Sequence, residues 1–178
     1  MKFSRDITAL FLAAGLLLGG CGSGPKAEKK PAAGNGFSAQ VMKIHDGDTV
    51  TVTDSQYKNH KLRLYAIDAP ELAQEGGQDS MRNLSKMLPK KTQVTVVVEN
   101  KDRYGREVST IYKGDVNINR EQIRAGQAWH YKHYDKKFYS DYESLEESAR
   151  RNRIGLWRNS HPQEPWQWRE NKRKGEGK

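Results

Sequence analysis

The sequence predicts an α+β fold, mainly β: five short strands closed, or nearly closed, into a small barrel with about three helices. Three observations carry this expectation. Short runs rich in β-branched residues recur along the first half of the foldable region, separated by turn signals. One helical stretch interrupts them and two more follow. There is no internal repeat and no heptad run to suggest a different architecture.

The first strand, residues 37–44, leads into the turn Asp46-Gly47-Asp48. Residues 49–53, Thr-Val-Thr-Val-Thr, are β-branched throughout. Residues 61–67 alternate, with Leu62, Leu64 and Ala66 on one face and Arg63, Tyr65 and Ile67 on the other. Residues 92–99 form a further strong strand, with Val94, Val96 and Val98 opposite Thr95 and Val97; residues 108–112 form a shorter one. A helix over 79–88 lines up Met81, Leu84 and Leu88, and Pro89 stops it. Asn119 caps a second helix that Gly126 closes. Ser140-Asp141-Tyr142-Glu143 has the capping-box pattern and opens a third, which turns Tyr142, Leu145 and Ala149 inward and ends at Gly155. Sequential strands in a small twisted sheet make the five-stranded OB-fold the natural candidate, a barrel that commonly binds nucleic acid.

The foldable region does not begin at Met1. Lys2 and Arg5 form a basic start, with Asp6 among them, and residues 7–18 are an apolar run too short for a permanent span. Residues 1–20 are thus expected to be an export signal. Leu18-Gly19-Gly20-Cys21 resembles a bacterial lipobox, in which Cys21 becomes the lipidated first residue of the mature chain. The bland alternative is an ordinary secretory signal that happens to end at a cysteine. Residues 21–36 lack large apolar side chains and read as the lipidated cysteine and a flexible tether. Residues 37–168 are the size of one domain, and 169–178 are expected to be a frayed polar tail. The expectation is an exported monomer, lipid-anchored to a bacterial cell membrane, with the side of the envelope left open. Cys21 is the single cysteine, which excludes disulfides, cysteine-rich zinc sites and thiol catalysis from the folded domain.

The net charge is +9, from 31 Lys and Arg against 22 Asp and Glu. Such an excess attracts polyanions and anionic lipid surfaces alike, and also serves solubility.

Chemistry concentrates in three segments: Asp46-Gly47-Asp48-Thr49, Arg63 to Glu71, and Asp102-Arg103-Tyr104-Gly105-Arg106. Asp48 and Asp68 lie at strand boundaries, where carboxylates are free to converge. The Asp68-Ala69-Pro70 turn also frees the Ala69 carbonyl, and Pro70 sets the direction of Glu71. Oxygen donors of this kind suit calcium or magnesium. Two guanidiniums and a spare carboxylate complete the parts needed to cleave a phosphodiester.

These motifs, in this order, resemble the staphylococcal nuclease (thermonuclease) family, and the likeness continues through residues 119–128 and Gly155-Leu156-Trp157. The resemblance implies a calcium-dependent nuclease that cleaves DNA and RNA to 3′-phosphate products. It makes Asp48, Asp68 and the Ala69 carbonyl the calcium ligands, with Asp46 a carboxylate behind them. It makes Glu71 the general base, and Arg63 and Arg106 the arginines that bind the scissile phosphate. Tyr104 and Tyr134 would line the nucleotide pocket; the position where some relatives carry a second tyrosine is Lys132 here.

Each motif alone has a plainer reading: Asp46-Gly47-Asp48 as a turn, Arg63 as a solvated strand residue, Tyr104-Gly105-Arg106 as a hairpin. Two rivals follow. One is a catalytically inactive, membrane-tethered barrel that binds nucleic acid. The other is an envelope lipoprotein whose basic domain contacts lipid or protein. His130 and His133 show no zinc spacing, and Trp157, Trp166 and Trp168 are expected to pack the C-terminal segment onto the barrel.

Overall fold

The computed structural model describes residues 36–175. The expected export signal, Cys21 and nearly all of the tether lie outside them.

Five strands form the barrel: β1 (Gly36–Ile44), β2 (Thr49–Asp54), β3 (Asn59–Leu64), β5 (Gln93–Lys101) and β6 (Glu107–Lys113). They pair in the order β3-β2-β1-β5-β6, and β3 then pairs in parallel with β6, aligning Arg63 with Val108. That last pairing closes the sheet and removes its edges. Three two-residue strands complete the ladders: β4 (Ile67–Asp68), β7 (Val116–Asn117) and β8 (Trp129–His130). The helices are α1 (Gly77–Met87), α2 (Ile118–Arg124), α3 (Tyr139–Arg151) and α4 (Pro165–Arg173). The architecture is the expected mainly-β barrel, with four α-helices among the described residues where about three were expected. None of the described helices is long and apolar enough to cross a membrane.

The barrel interior holds Val41, Val50, Val52, Leu62, Leu64, Val96 and Ile111, which α1 and α2 cover with Leu84, Leu88, Ile118 and Ile123. A second cluster joins Trp129, Ala149 and Trp157, with Trp166 of α4 packed against it. Trp157 and Trp166 therefore pack the C-terminal segment as expected, whereas Trp168 lies outside this cluster, with Lys172 Nζ 5.0 Å from its ring centroid.

Several local expectations are corrected. The strand over 61–67 breaks at Tyr65-Ala66, where Ala66 has φ +58°, and the chain re-enters as β4 paired with β8. Alternation fails there, and Tyr65, Ala66, Ile67 and Asp68 are all buried. Val98 is 38% exposed and Val97 is buried, the reverse of the expected alternation, and the register with β6 shifts between Val98 and Asn100. Asn117, not Asn119, caps α2, accepting from the Arg120 N–H at 3.1 Å. Asn119 is fully buried instead. Its Nδ2 donates to the Tyr65 and Ser109 carbonyls, both at 3.1 Å, and its Oδ1 accepts from the Ile111 N–H at 3.2 Å. It thereby ties α2 to β6 and to the chain just before Asp68. Helix α3 is capped at Phe138, two residues before the expected Ser140 and without a side-chain cap bond, and it ends at Arg151 rather than running to Gly155. Residues 169–173 are not tail: α4 runs through them, started by the buried Pro165 in its first turn.

Candidate active site

The turn between β1 and β2 presents the first carboxylates. Asp46 Oδ1 accepts from the Asp48 N–H at 2.9 Å, and the Asp48 carbonyl accepts from the Leu64 N–H at 2.8 Å, locking the turn onto β3. A side chain at Gly47 would meet Ser80 Oγ at 1.9 Å and the Ala69 Cβ at 2.6 Å, so only glycine lets this turn lie against α1 and the Ala69 loop. Gln122 of α2 donates to the Gly47 carbonyl at 2.7 Å and holds the turn from below.

The second segment meets it directly. Asp48 Oδ2 accepts from the Ala69 N–H at 2.6 Å and forms an ion pair with Arg63, 3.1 Å from its Nη2. The same Nη2 donates to Asp68 Oδ1 at 2.7 Å, while Arg63 Nη1 donates to the carbonyls of Leu64 (3.0 Å) and Ile67 (2.8 Å). Arg63 is thus fixed by the turn it precedes, with one edge between the two aspartates. Glu71 follows on a tight loop. Its carbonyl accepts from the Gln74 N–H at 2.8 Å, and Gly77 comes so close that an added Cβ would lie 1.9 Å from that carbonyl oxygen.

The third segment is the β5–β6 hairpin. Asp102 Oδ1 accepts from the N–H groups of Tyr104 and Arg106, both at 2.9 Å, and its Oδ2 accepts from Arg106 Nε at 2.7 Å. Burial alone would raise the Asp102 carboxyl, but these bonds hold it below its usual value. Arg106 therefore keeps its Nη groups for another partner. Tyr104 is 70% exposed, flanked by the guanidiniums of Arg103 (5.0 Å) and Arg106 (5.7 Å). Opposite stand Tyr134 and Tyr131, with ring centroids 4.8 Å apart.

All of these groups line one cleft of about 850 Å³: Asp46, Asp48, Arg63, Asp68, Ala69, Glu71, Tyr104, Arg106 and Tyr134. Every candidate residue expected within the folded domain is therefore brought to a single place. Lys61, Lys101, Arg103 and Arg169 add positive charge to its walls.

Three cleft residues carried no signal that the sequence made usable. Asp102 lay inside a recognised motif, but its job of aiming Arg106 needs the hairpin geometry. Tyr131 packs between Tyr134 and Trp166, and its hydroxyl is pushed up by burial and then by the Asp68 charge. Arg169 falls in the expected tail, yet it donates from Nη2 to Asp68 Oδ2 at 2.6 Å and from Nη1 to Asp68 Oδ1 at 3.2 Å and Glu71 Oε1 at 3.0 Å.

Among the described residues, no group of three or more Asp, Glu, His or Cys side chains stands in ready metal-holding geometry. The donor chemistry nonetheless suits a hard divalent cation. Burial pushes the Asp48 carboxyl up to about 8, and the charges of Asp46 and Asp68 add to this despite Arg63. A cation beside such crowded carboxylates would relieve both burial and repulsion.

The cleft thus sets carboxylates and guanidiniums side by side. A family model described as staphylococcal nuclease homologue matches residues 61–159. The chain belongs to the staphylococcal nuclease family. It is a nuclease, a hydrolase of phosphodiester bonds. It is 41% identical over 132 residues to an uncharacterised endonuclease of Haemophilus influenzae, covering 74% of this chain and 72% of that protein. An uncharacterised endonuclease of Escherichia coli O157:H7 is 39% identical over 134 residues, covering 75% and 85%. A micrococcal nuclease of Shigella flexneri is 36% identical over 142 residues, covering 75% and 80%. Longer plant relatives also match: the chain covers only 36% of a staphylococcal-like nuclease of Arabidopsis thaliana.

Proposed function

We propose that this chain is a calcium-dependent nuclease that cleaves DNA and RNA to 3′-phosphate products, working as a monomer held at a bacterial cell membrane by lipid on Cys21. The observation that supports this reading best is the convergence of Asp48, Asp68, Glu71, Arg63 and Arg106 on one basic cleft.

Asp48, Asp68 and the Ala69 carbonyl would hold the ion, with Asp46 fixing the turn that carries Asp48. Bound there, calcium supplies positive charge to the phosphoryl oxygens and lowers the cost of bringing an anion to the carboxylates. Glu71 takes the proton of the attacking water. As water adds to phosphorus, negative charge gathers on the phosphoryl oxygens; the bond from phosphorus to the 5′-oxygen then breaks, that oxygen leaves as a hydroxyl with a proton from solvent, and the phosphate stays on the 3′-oxygen. Arg106, aimed by Asp102, meets that charge with its free Nη groups, while Arg63, whose Nη groups are held by Asp68 and the Leu64 and Ile67 carbonyls, adds its positive charge from beside the aspartates. Tyr104 and Tyr134 offer ring faces to the nucleotide, which any base satisfies. Neither a base edge nor the 2′-hydroxyl enters these steps, consistent with cleavage of both nucleic acids.

The test is incubation of the purified domain with single-stranded DNA and with RNA, in calcium or in EDTA, followed by analysis of the product ends. Calcium-dependent products ending in 3′-phosphate support the reading. Binding without metal-dependent turnover would instead favour the inactive nucleic-acid-binding barrel. Radiolabelled palmitate incorporation, lost in Cys21→Ser, tests the anchor.

A further inference from the structure

The expected tail carries an arginine that grips the centre of the cleft. Arg169 makes three hydrogen bonds, two to Asp68 and one to Glu71, and so bridges a proposed ion ligand and the proposed base. Asp68 is fully buried, which makes this bridge stronger than an ordinary surface ion pair.

The position of Arg169 is independently fixed. Trp166, one turn earlier on α4, stacks on Tyr131 with ring centroids 5.5 Å apart and an interplanar angle of 17°, and meets Trp129 edge-on at 5.7 Å. The Gln163 carbonyl, just before the helix, accepts from Gln74 Nε2 at 2.8 Å. Gln74 belongs to the same loop as Glu71, and its Oε1 accepts the Glu71 N–H at 3.3 Å. The segment leading into α4 and its Arg169 thus hold the Glu71 loop from both ends.

Glu71 needs such support. It sits on a loop, its side chain is 38% exposed, and among the described residues Arg169 supplies the hydrogen bond to its carboxylate. A carboxylate free to change rotamer spends only part of its time where a water can be activated, and a misplacement of ~1 Å can cost ~100-fold in rate. Arg169 lies beyond residues 61–159, the stretch that the family model matches.

We propose that Arg169 is a positioning residue of the nuclease site, holding the Glu71 carboxylate beside Asp68 through its guanidinium bridge. This rests on the reading of Glu71 as the base. A lysine cannot span both carboxylates with a planar fork, so Arg169→Lys restores only part of the effect.

The experiment is a double-mutant cycle on the full domain, with single-stranded DNA and calcium, using Arg169→Ala, Arg169→Lys, Glu71→Gln and the Ala/Gln double variant. Arg169→Ala is expected to lower kcat by roughly 10- to 100-fold with KM changed by less than about threefold, and Arg169→Lys to fall between it and the wild type. In the Glu71→Gln background the Arg169 substitution should cost less than about threefold more. Without calcium or DNA, the Glu71 carboxyl resonance should move in Arg169→Ala and stay in Lys172→Ala. Melting in EDTA checks the fold, and Arg169→Gln, which keeps the stem, replaces the alanine variant if that does not fold. An unchanged kcat, a full loss repeated in the Glu71→Gln background, or a faster variant with tighter calcium binding by calorimetry would each overturn the proposal. A wild-type domain that cleaves nothing overturns the functional reading and this proposal together, whereas the variant ratios overturn this one alone.

Discussion

Asp48 shows how one buried side chain sets a condition on the whole site. Its carboxyl is held up to about 8 against a usual 3.8, chiefly by burial. Between those values the folded chain keeps a proton that the unfolded chain has lost, so stability in EDTA falls as pH rises through that window. Asp48→Asn, which keeps the shape without the charge, is expected to flatten this decline and to raise the melting temperature near pH 8. Thermal denaturation across pH checks it, and parallel curves for the two proteins would contradict it. At this scale the sequence was legible where a side chain's role follows from its own chemistry. The carboxylates, Arg63, Arg106 and the two tyrosines were readable in their motifs, and all face one cleft. Asn119 was misread because a cap and a buried tie use the same amide; only the fold places its Nδ2 between the Tyr65 and Ser109 carbonyls. Arg169 was misread because a basic residue among Glu, Lys and Arg looks solvated until α4 docks.

Elements position these side chains through close approaches that small residues permit. Gly77 opens α1 against the Glu71 carbonyl, a backbone atom that cannot rotate away. Gly77→Ala must therefore shift the Glu71 loop, and overpacking of this kind costs about 1–3 kcal/mol. Lower kcat and lower stability together are expected, measured by turnover and by urea denaturation; an unchanged kcat would contradict this. Helix α4 is anchored by Trp166 on Tyr131 and Trp129. Trp166→Ala should free it, so that trypsin cleaves early at Arg158 and Arg169 while the barrel persists. Mass spectrometry of the fragments reads this, and a cleavage pattern like the wild type's would argue that other contacts hold α4. The five barrel strands were legible because β-branched runs and turn signals report strand and boundary directly. The break at Ala66 and the bulge after Val98 were not, since the first arises from pairing with β8, far along the chain, and the second from a register shift within the β5–β6 hairpin that leaves no mark in the side-chain pattern.

The molecule as a whole is a basic barrel whose cleft collects positive side chains from several parts of the chain: Lys61 and Arg63 on β3, Lys101 at the end of β5, Arg103 and Arg106 in the hairpin that follows, and Arg169 on α4. Binding of single-stranded DNA in EDTA should weaken roughly tenfold or more between about 50 and 200 mM salt, as expected when about three phosphates are neutralised. Fluorescence anisotropy across salt checks this, and a flat dependence would deny the cleft its electrostatic role. The central claim is that Glu71 is the base of a calcium-dependent hydrolysis in this cleft. The direct measurement is single-turnover cleavage of single-stranded DNA by wild type and Glu71→Gln, each in calcium and in EDTA. The account predicts cleavage by the wild type in calcium alone, with Glu71→Gln slower by roughly 100- to 10,000-fold while still binding DNA. A glutamine variant as fast as the wild type, or equal rates in EDTA, would contradict it.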